Sequence, residues 1–117
     1  MQLKLFSFTK TEKSPAIIEK RINEFLDGKS FKMANQSESV KSGKFFLSVY
    51  YEDKKSNIKV KVFKDTNTKN MEAKINAFLE EGVAMKFASQ SSTTSAIYAV
   101  IFYELRKANG NKEENKN

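Results

Sequence analysis

The chain contains no Cys, no His and no Trp, a single Pro and only four Gly. The missing Cys excludes a disulfide scaffold, a thiolate metal site and a cysteine nucleophile. The missing His removes the commonest general base and the commonest metal ligand. Zinc sites built from Cys and His are therefore excluded. Gly28, Gly43, Gly82 and Gly110 are too dispersed to form a phosphate-cradling glycine loop. No apolar run approaches the roughly 20 residues that span a bilayer. The opening stretch Met1-Gln2-Leu3-Lys4-Leu5-Phe6 alternates with lysine and lacks an apolar signal core. A soluble, cytoplasmic protein is expected, in the host cytoplasm if a phage encodes it.

What the chain does have is charge and aromatic rings. In 117 residues, Lys and Arg number 21 against 14 Asp and Glu, a formal charge of +7. A field of that sign favours an anionic partner. Ten Phe and four Tyr, within 39% hydrophobic residues, suffice for a folded core.

The strongest pattern is self-similarity, with residues 3–52 and 60–104 aligning as two copies. Lys4 and Phe6 match Lys61 and Phe63. Glu19, Ile22, Asn23, Phe25 and Leu26 match Glu72, Ile75, Asn76, Phe78 and Leu79. Gly28 matches Gly82, and Lys32, Ala34, Gln36 and Ser37 match Lys86, Ala88, Gln90 and Ser91. Tyr51-Glu52 matches Tyr103-Glu104. Each copy reads β-α-β-β. Leu3 and Leu5 alternate with Lys4 and Phe6, and Val60 and Val62 with Lys61 and Phe63, the period of a half-buried strand. Ser14-Pro15 opens the first helix as cap and first helical residue, and Gly28 closes it. The second helix is expected over 69–81, capped by Thr68 and closed by Gly82. Final strands are expected over 44–52 and 96–105. The expected organisation is a first repeat over 1–55, a second over 56–106, and a disordered polar tail over 107–117. The fold class is α+β: tandem duplicated βαββ units, a mainly antiparallel sheet with two helices on one face, and a pseudo-two-fold axis between the copies.

Two helices cover one sheet face. Leu3, Leu5, Phe31, Met33, Phe45, Leu47 and Val49 are assigned to that face, with their counterparts in the second copy. The opposite face then carries Lys4, Phe6, Lys32, Phe46, Ser48 and Tyr50. From the second copy it carries Lys61, Phe63, Lys86, Tyr98, Val100 and Phe102. An apolar patch of that size is seldom left idle. One reading is packing, either between the copies' sheets or between protomers of a homo-oligomer. The other is recognition, since rings stack on bases and lysines neutralise phosphates. The loops at Gln36-Ser37 and Gln90-Ser91, repeated about the axis, add hydrogen-bonding groups suited to base edges and phosphate oxygens; their plainer role is to solvate a hairpin. The candidate ligand-binding residues are therefore Lys4, Lys32, Gln36, Ser37, Phe46, Tyr50, Lys61, Lys86, Gln90, Ser91, Tyr98 and Phe102. No catalytic or metal-binding residues are assigned. Serines lack a histidine to activate them, and the terminal Glu52 and Glu104 suit surface ion pairs. No cofactor and no enzymatic activity are expected.

Ile58-Lys59-Val60-Lys61-Val62-Phe63-Lys64-Asp65, Glu72-Ala73-Lys74-Ile75-Asn76-Ala77-Phe78-Leu79 and Ala99-Val100-Ile101-Phe102-Tyr103-Glu104 together resemble the short sporulation-protein family of Gram-positive bacteria, whose relatives occur as small phage proteins. That family is usually a single unit, whereas this chain carries two, and it offers no catalytic residues to transfer. In style the chain is also similar to phage accessory proteins that sequester signalling nucleotides. The expected function is a non-catalytic binder of an anionic nucleotide-derived ligand that counters host defence. The alternatives are a single-stranded nucleic-acid-binding module and a structural, oligomeric interaction module.

Overall fold

The computed structural model describes residues 1–93 and 95–105. The expected tail over 107–117 and Thr94 of the last hairpin lie outside them. The first unit comprises β1 (Gln2–Phe8), α1 (Pro15–Leu26), β2 (Ser30–Glu38) and β3 (Phe45–Glu52). The second comprises β4 (Lys59–Asp65), α2 (Thr68–Leu79), β5 (Val83–Ser92) and β6 (Ile97–Leu105). The class is α+β and the βαββ order holds in both halves. Among the described residues, no helix is long and apolar enough to cross a membrane.

Local chemistry sets the element boundaries. The Ser14 hydroxyl accepts the Ile17 N–H at 3.2 Å, and Pro15 occupies the first turn. In the second unit the cap is Asn67, not Thr68: its side chain accepts the Asn70 N–H at 3.0 Å. Asparagine is at least as good an acceptor there, and it starts the helix one residue earlier. Gly28 and Gly82 follow the helices at φ 79° and 84°. A Cβ would meet no atom within 4 Å at either, so backbone conformation and not space requires glycine.

Each unit forms its own antiparallel three-stranded sheet, ordered β1-β3-β2 and β4-β6-β5. Both carry a β-bulge at the same place, between Phe31 and Met33 and between Met85 and Phe87. Lys32 and Lys86 sit at those bulges and pair with Glu52 and Glu104 at 3.5 and 3.6 Å.

Register corrects the expected faces. Phe6 stands opposite Leu47 and Lys4 opposite Val49, whereas Leu3 and Leu5 stand opposite Tyr50 and Ser48. The helix-side face of the first sheet is thus Phe6, Phe8, Phe45, Leu47 and Val49, all buried. Leu3 and Leu5 lie on the outer face. Alternation fixes which residues share a side within one strand. It does not fix how neighbouring strands are phased, and one step exchanges the faces.

The two units stack head to tail instead of about a two-fold axis. Ile18, Ile22 and Leu26 of α1 join one core with residues of both sheets, among them Leu47 and Val49 below and Val62, Val100 and Phe102 above. α1 lies against β4, and β2 runs beside β5. A two-fold would lay α2 against β1 in the same way. Instead α2 lies against β4 and β5 of its own sheet, where Met71 and Phe78 pack with Phe63, Ala99 and Ile101. The asymmetry shows in equivalent residues: Ile22 is fully buried, and Ile75 only partly. Ile22→Ala is expected to cost about 2–5 kcal/mol through the cavity it leaves, and Ile75→Ala clearly less. Urea unfolding of dilute protein measures both, and equal losses would contradict the stacking.

Candidate functional site

The twelve residues singled out from the sequence do not form one surface. Tyr98 and Phe102 are 1% and 0% exposed, filling the core between the units. Phe31 stacks on Phe102 at 4.0 Å between ring centroids, and Phe45 packs on Tyr98 at 5.7 Å. Phe46 and Tyr50 lie on the outer face of the first sheet and are half-buried. The lysines are elsewhere. Lys4 shares the side of Phe6 and places Nζ 5.8 and 5.9 Å from the Phe6 and Phe25 rings. Lys61 pairs with Glu19 at 3.8 Å, while Lys32 and Lys86 pair within their own sheets. A lysine-ringed aromatic face is therefore absent among the described residues. The cause is the register change, which parts Lys4 and Lys61 from the outward rings.

Gln36-Ser37 and Gln90-Ser91 lie within β2 and β5 and not in hairpin loops, because the strands run on past them; Gln36 and Ser91 do come together, and they join the units. Gln36 Nε2 donates to Ser91 Oγ at 2.9 Å and to the Tyr98 carbonyl at 3.1 Å. Ser89 Oγ donates to Gln36 Oε1 at 2.6 Å. Ser91 Oγ also donates to Glu38, whose fully buried carboxylate pairs with Lys13 at 3.0 Å. The Tyr98 hydroxyl donates to the Lys13 carbonyl at 2.9 Å. Each of these side chains drawn into the seam thus has a polar partner, as burial demands. Their counterparts differ in setting. Ser37 and Gln90 are exposed, and Gln90 has no side-chain hydrogen bond among the described residues.

A second clamp was not singled out from the sequence as a site. β4 is an edge strand, and its outward amides need partners. Asn23 Oδ1 accepts the Val60 N–H at 2.7 Å and Nδ2 donates to the Val60 carbonyl at 3.3 Å, so one amide side chain pairs with the strand as a neighbouring strand would. Glu19 Oε2 accepts the Val62 N–H at 2.8 Å. The signal was present: Glu19 and Asn23 recur as Glu72 and Asn76 beside the apolar stripe, a polar pair kept through the duplication. Glu72 and Asn76 are exposed and make no side-chain hydrogen bond or ion pair among the described residues.

Several concavities flank these features. One, of about 160 Å³, is lined by Lys10, Lys13, Lys41, Ser42, Thr93 and Ser95, where the hairpin loops of both units approach the β1–α1 loop. Another, of about 320 Å³, runs along α2 past Met71, Glu72, Ile75, Asn76 and Gln90. Perturbed titrating groups have local causes. The Lys74 ammonium, 2.8 Å away, and then the Asn67 N–H hold the Asp65 carboxyl below the usual range. The Thr9 N–H does the same for Glu12. Burial, followed by the Glu19 and Glu81 carboxylates, pushes the Tyr103 hydroxyl up.

Comparison with family models, with curated proteins and with solved structures finds no match to this chain. The reading of its surfaces accordingly rests on their geometry. Removing the clamp at Asn23 leaves the Val60 amide without its partner beside the core. Asn23→Ala is expected to lower stability by about 1–3 kcal/mol, measured as the shift of the urea midpoint at unchanged m-value; an unshifted midpoint would show that the clamp carries no net energy.

Proposed function

We propose that this protein is a non-catalytic interaction module that works as an assembly of its own copies. One observation carries the reading. The outer face of the first sheet is built from the same positions that the second sheet buries. In register, Leu3 pairs with Tyr50 and Leu5 with Ser48, as Val60 pairs with Phe102 and Val62 with Val100. The second set is buried in the seam, whereas Leu3 and Leu5 are 52% and 59% exposed. Large apolar side chains gathered on one open sheet face mark an interaction surface, and a sheet whose twin already docks on this same chain is suited to docking on another copy of it. Phe46→Lys places a charge on that face without touching the core. It is expected to bring the light-scattering mass at high protein concentration down to that of one chain; equal masses for wild type and variant would overturn the reading.

The anionic-ligand reading is favoured by the small cleft, where Lys10 and Lys41 line the wall with three hydroxyl side chains beside the Lys13–Glu38 pair. Cation and hydroxyl donors together suit phosphate oxygens. At about 160 Å³ the cleft lies well below the roughly 300–1,000 Å³ of sites that enclose a whole small molecule. It suits one phosphoryl group of a nucleotide whose remainder lies outside. Calorimetry with inorganic phosphate and with cyclic and linear nucleotides tests this. Heat that disappears in the Lys10→Ala/Lys41→Ala double variant supports a nucleotide-sequestering role, and no heat with any ligand excludes it.

A further inference from the structure

We propose that copies of this chain join head to tail, with the outer face and free edge of the β1-β3-β2 sheet of one copy docking on the α2–β5 side of the next. This rests on the self-association reading and adds its geometry. The seam inside the chain has two sides, and the duplication places a second example of each at opposite ends of the stack.

The side that docks in the seam is the second sheet: Val60 and Val62 of its edge strand, with Phe87, Val100 and Phe102 beside them. Its counterpart at the open end is Leu3, Leu5, Met33, Ser48 and Tyr50. The side that receives is α1 with β2: Glu19 and Asn23 on the strand edge, Gln36 on Ser89 and Ser91 of β5, and Phe31 against Phe102. Its counterpart at the other end is α2 with β5, bearing Glu72, Asn76, Gln90 and Met85. Those four residues are all exposed, Met85 at 52%, and they border the grooves along α2 and β5. Both unoccupied sides therefore carry counterparts of the seam's groups in the same order along the chain, with Glu72, Asn76 and Gln90 identical to Glu19, Asn23 and Gln36.

Superposing the seam's pattern on the two ends specifies the contacts. Asn76 pairs with the Leu3 backbone as Asn23 does with Val60. Glu72 accepts the Leu5 N–H and faces Lys4, as Glu19 accepts from Val62 and faces Lys61. Gln90 meets Asn35 and Ser37, as Gln36 meets Ser89 and Ser91. Met85 lies on Tyr50, as Phe31 lies on Phe102. The free edge of β1, a liability in any sheet, is covered by this arrangement.

The joint between copies is weaker than the seam within the chain. Ser48 stands where Val100 packs, and Phe46 stands where Tyr98 does, so the bond from the Tyr98 hydroxyl to the Lys13 carbonyl has no equivalent. Ser92 stands where the buried Glu38 pairs with Lys13. No linker holds the two sides together. The joint is therefore reversible and concentration-dependent. Because docking and receiving sides differ, the contact is heterologous, and its repetition gives a ring or an open filament, not a closed two-fold dimer.

Two exposed-side variants test this on the full chain. Tyr50→Lys blocks the docking side, and Glu72→Lys puts a cation against Lys4 on the receiving side. Circular dichroism confirms that each folds. In sedimentation equilibrium, wild type is expected to exceed the mass of a dimer as concentration rises, and each variant alone to stay at 13.4 kDa. An equimolar mixture of the two variants is expected to form a 1:1 pair and stop there, because each supplies the side the other lacks. A self-associating wild type whose Glu72→Lys variant associates equally well overturns the head-to-tail geometry and leaves face-to-face pairing of sheets. A mixture that stays monomeric also overturns it. A wild type that stays monomeric throughout overturns the self-association reading as a whole.

Discussion

The structure depends on the docking of one edge strand. β4 carries outward amides at Val60 and Val62, and α1 answers them with Asn23 and Glu19. A strand edge left bare would solvate its amides or recruit another chain. Here a helix of the preceding unit closes it and fixes the second sheet's height and direction over the first. The apolar contacts of Val62, Val100 and Phe102 with Ile18, Ile22 and Leu47 follow from that placement. So do the bonds of Gln36 with Ser89 and Ser91 at the far side of the sheet. Hydrophobic burial supplies most of the free energy, and the directional bonds select one arrangement among those burial would tolerate.

Much of the fold is legible in the sequence. The duplication, the βαββ order, the cap at Ser14 and the closing glycines each rest on local chemistry that short windows of sequence contain. The helix stripes were legible too, because a period near 3.6 constrains all its members at once. What was not legible was relational. The alternation of Leu3 and Leu5 with Lys4 and Phe6 was read correctly within the strand. Its phase against Leu47 and Val49 differs by one step from the expected one, and that step exchanges the faces. From that single step came the expectation that Lys4, Phe46, Lys61 and Phe102 share a surface. The relation between units failed for a similar reason. Duplication shows that two modules exist and leaves the operation that relates them open.

The candidate residues divide along the same line. Gln36 and Ser91 do face one another across a junction between copies, as their repetition suggested, but they hold the protein together. Tyr98 and Phe102 were correctly seen as needing a partner, and the partner is the other half of the chain. Glu19 and Asn23 were visible as repeated polar residues beside an apolar stripe. Their task depends on which strand edge the helix meets. Residues equivalent between the two units thus have unequal surroundings, one set satisfied within the chain and the other open to solvent, and the proposed assembly rests on that inequality.

Amide hydrogen exchange, read residue by residue over a range of protein concentrations, reaches the central claim most directly. Val60 and Val62 are clamped inside the chain, and in the proposed assembly Leu3 and Leu5 are clamped only between chains. Val60 and Val62 should therefore exchange slowly at every concentration, while Leu3 and Leu5 exchange fast in dilute protein and slow as it is concentrated. Leu3 and Leu5 amides that exchange fast at all concentrations, or Val60 and Val62 amides as fast as theirs, would contradict it.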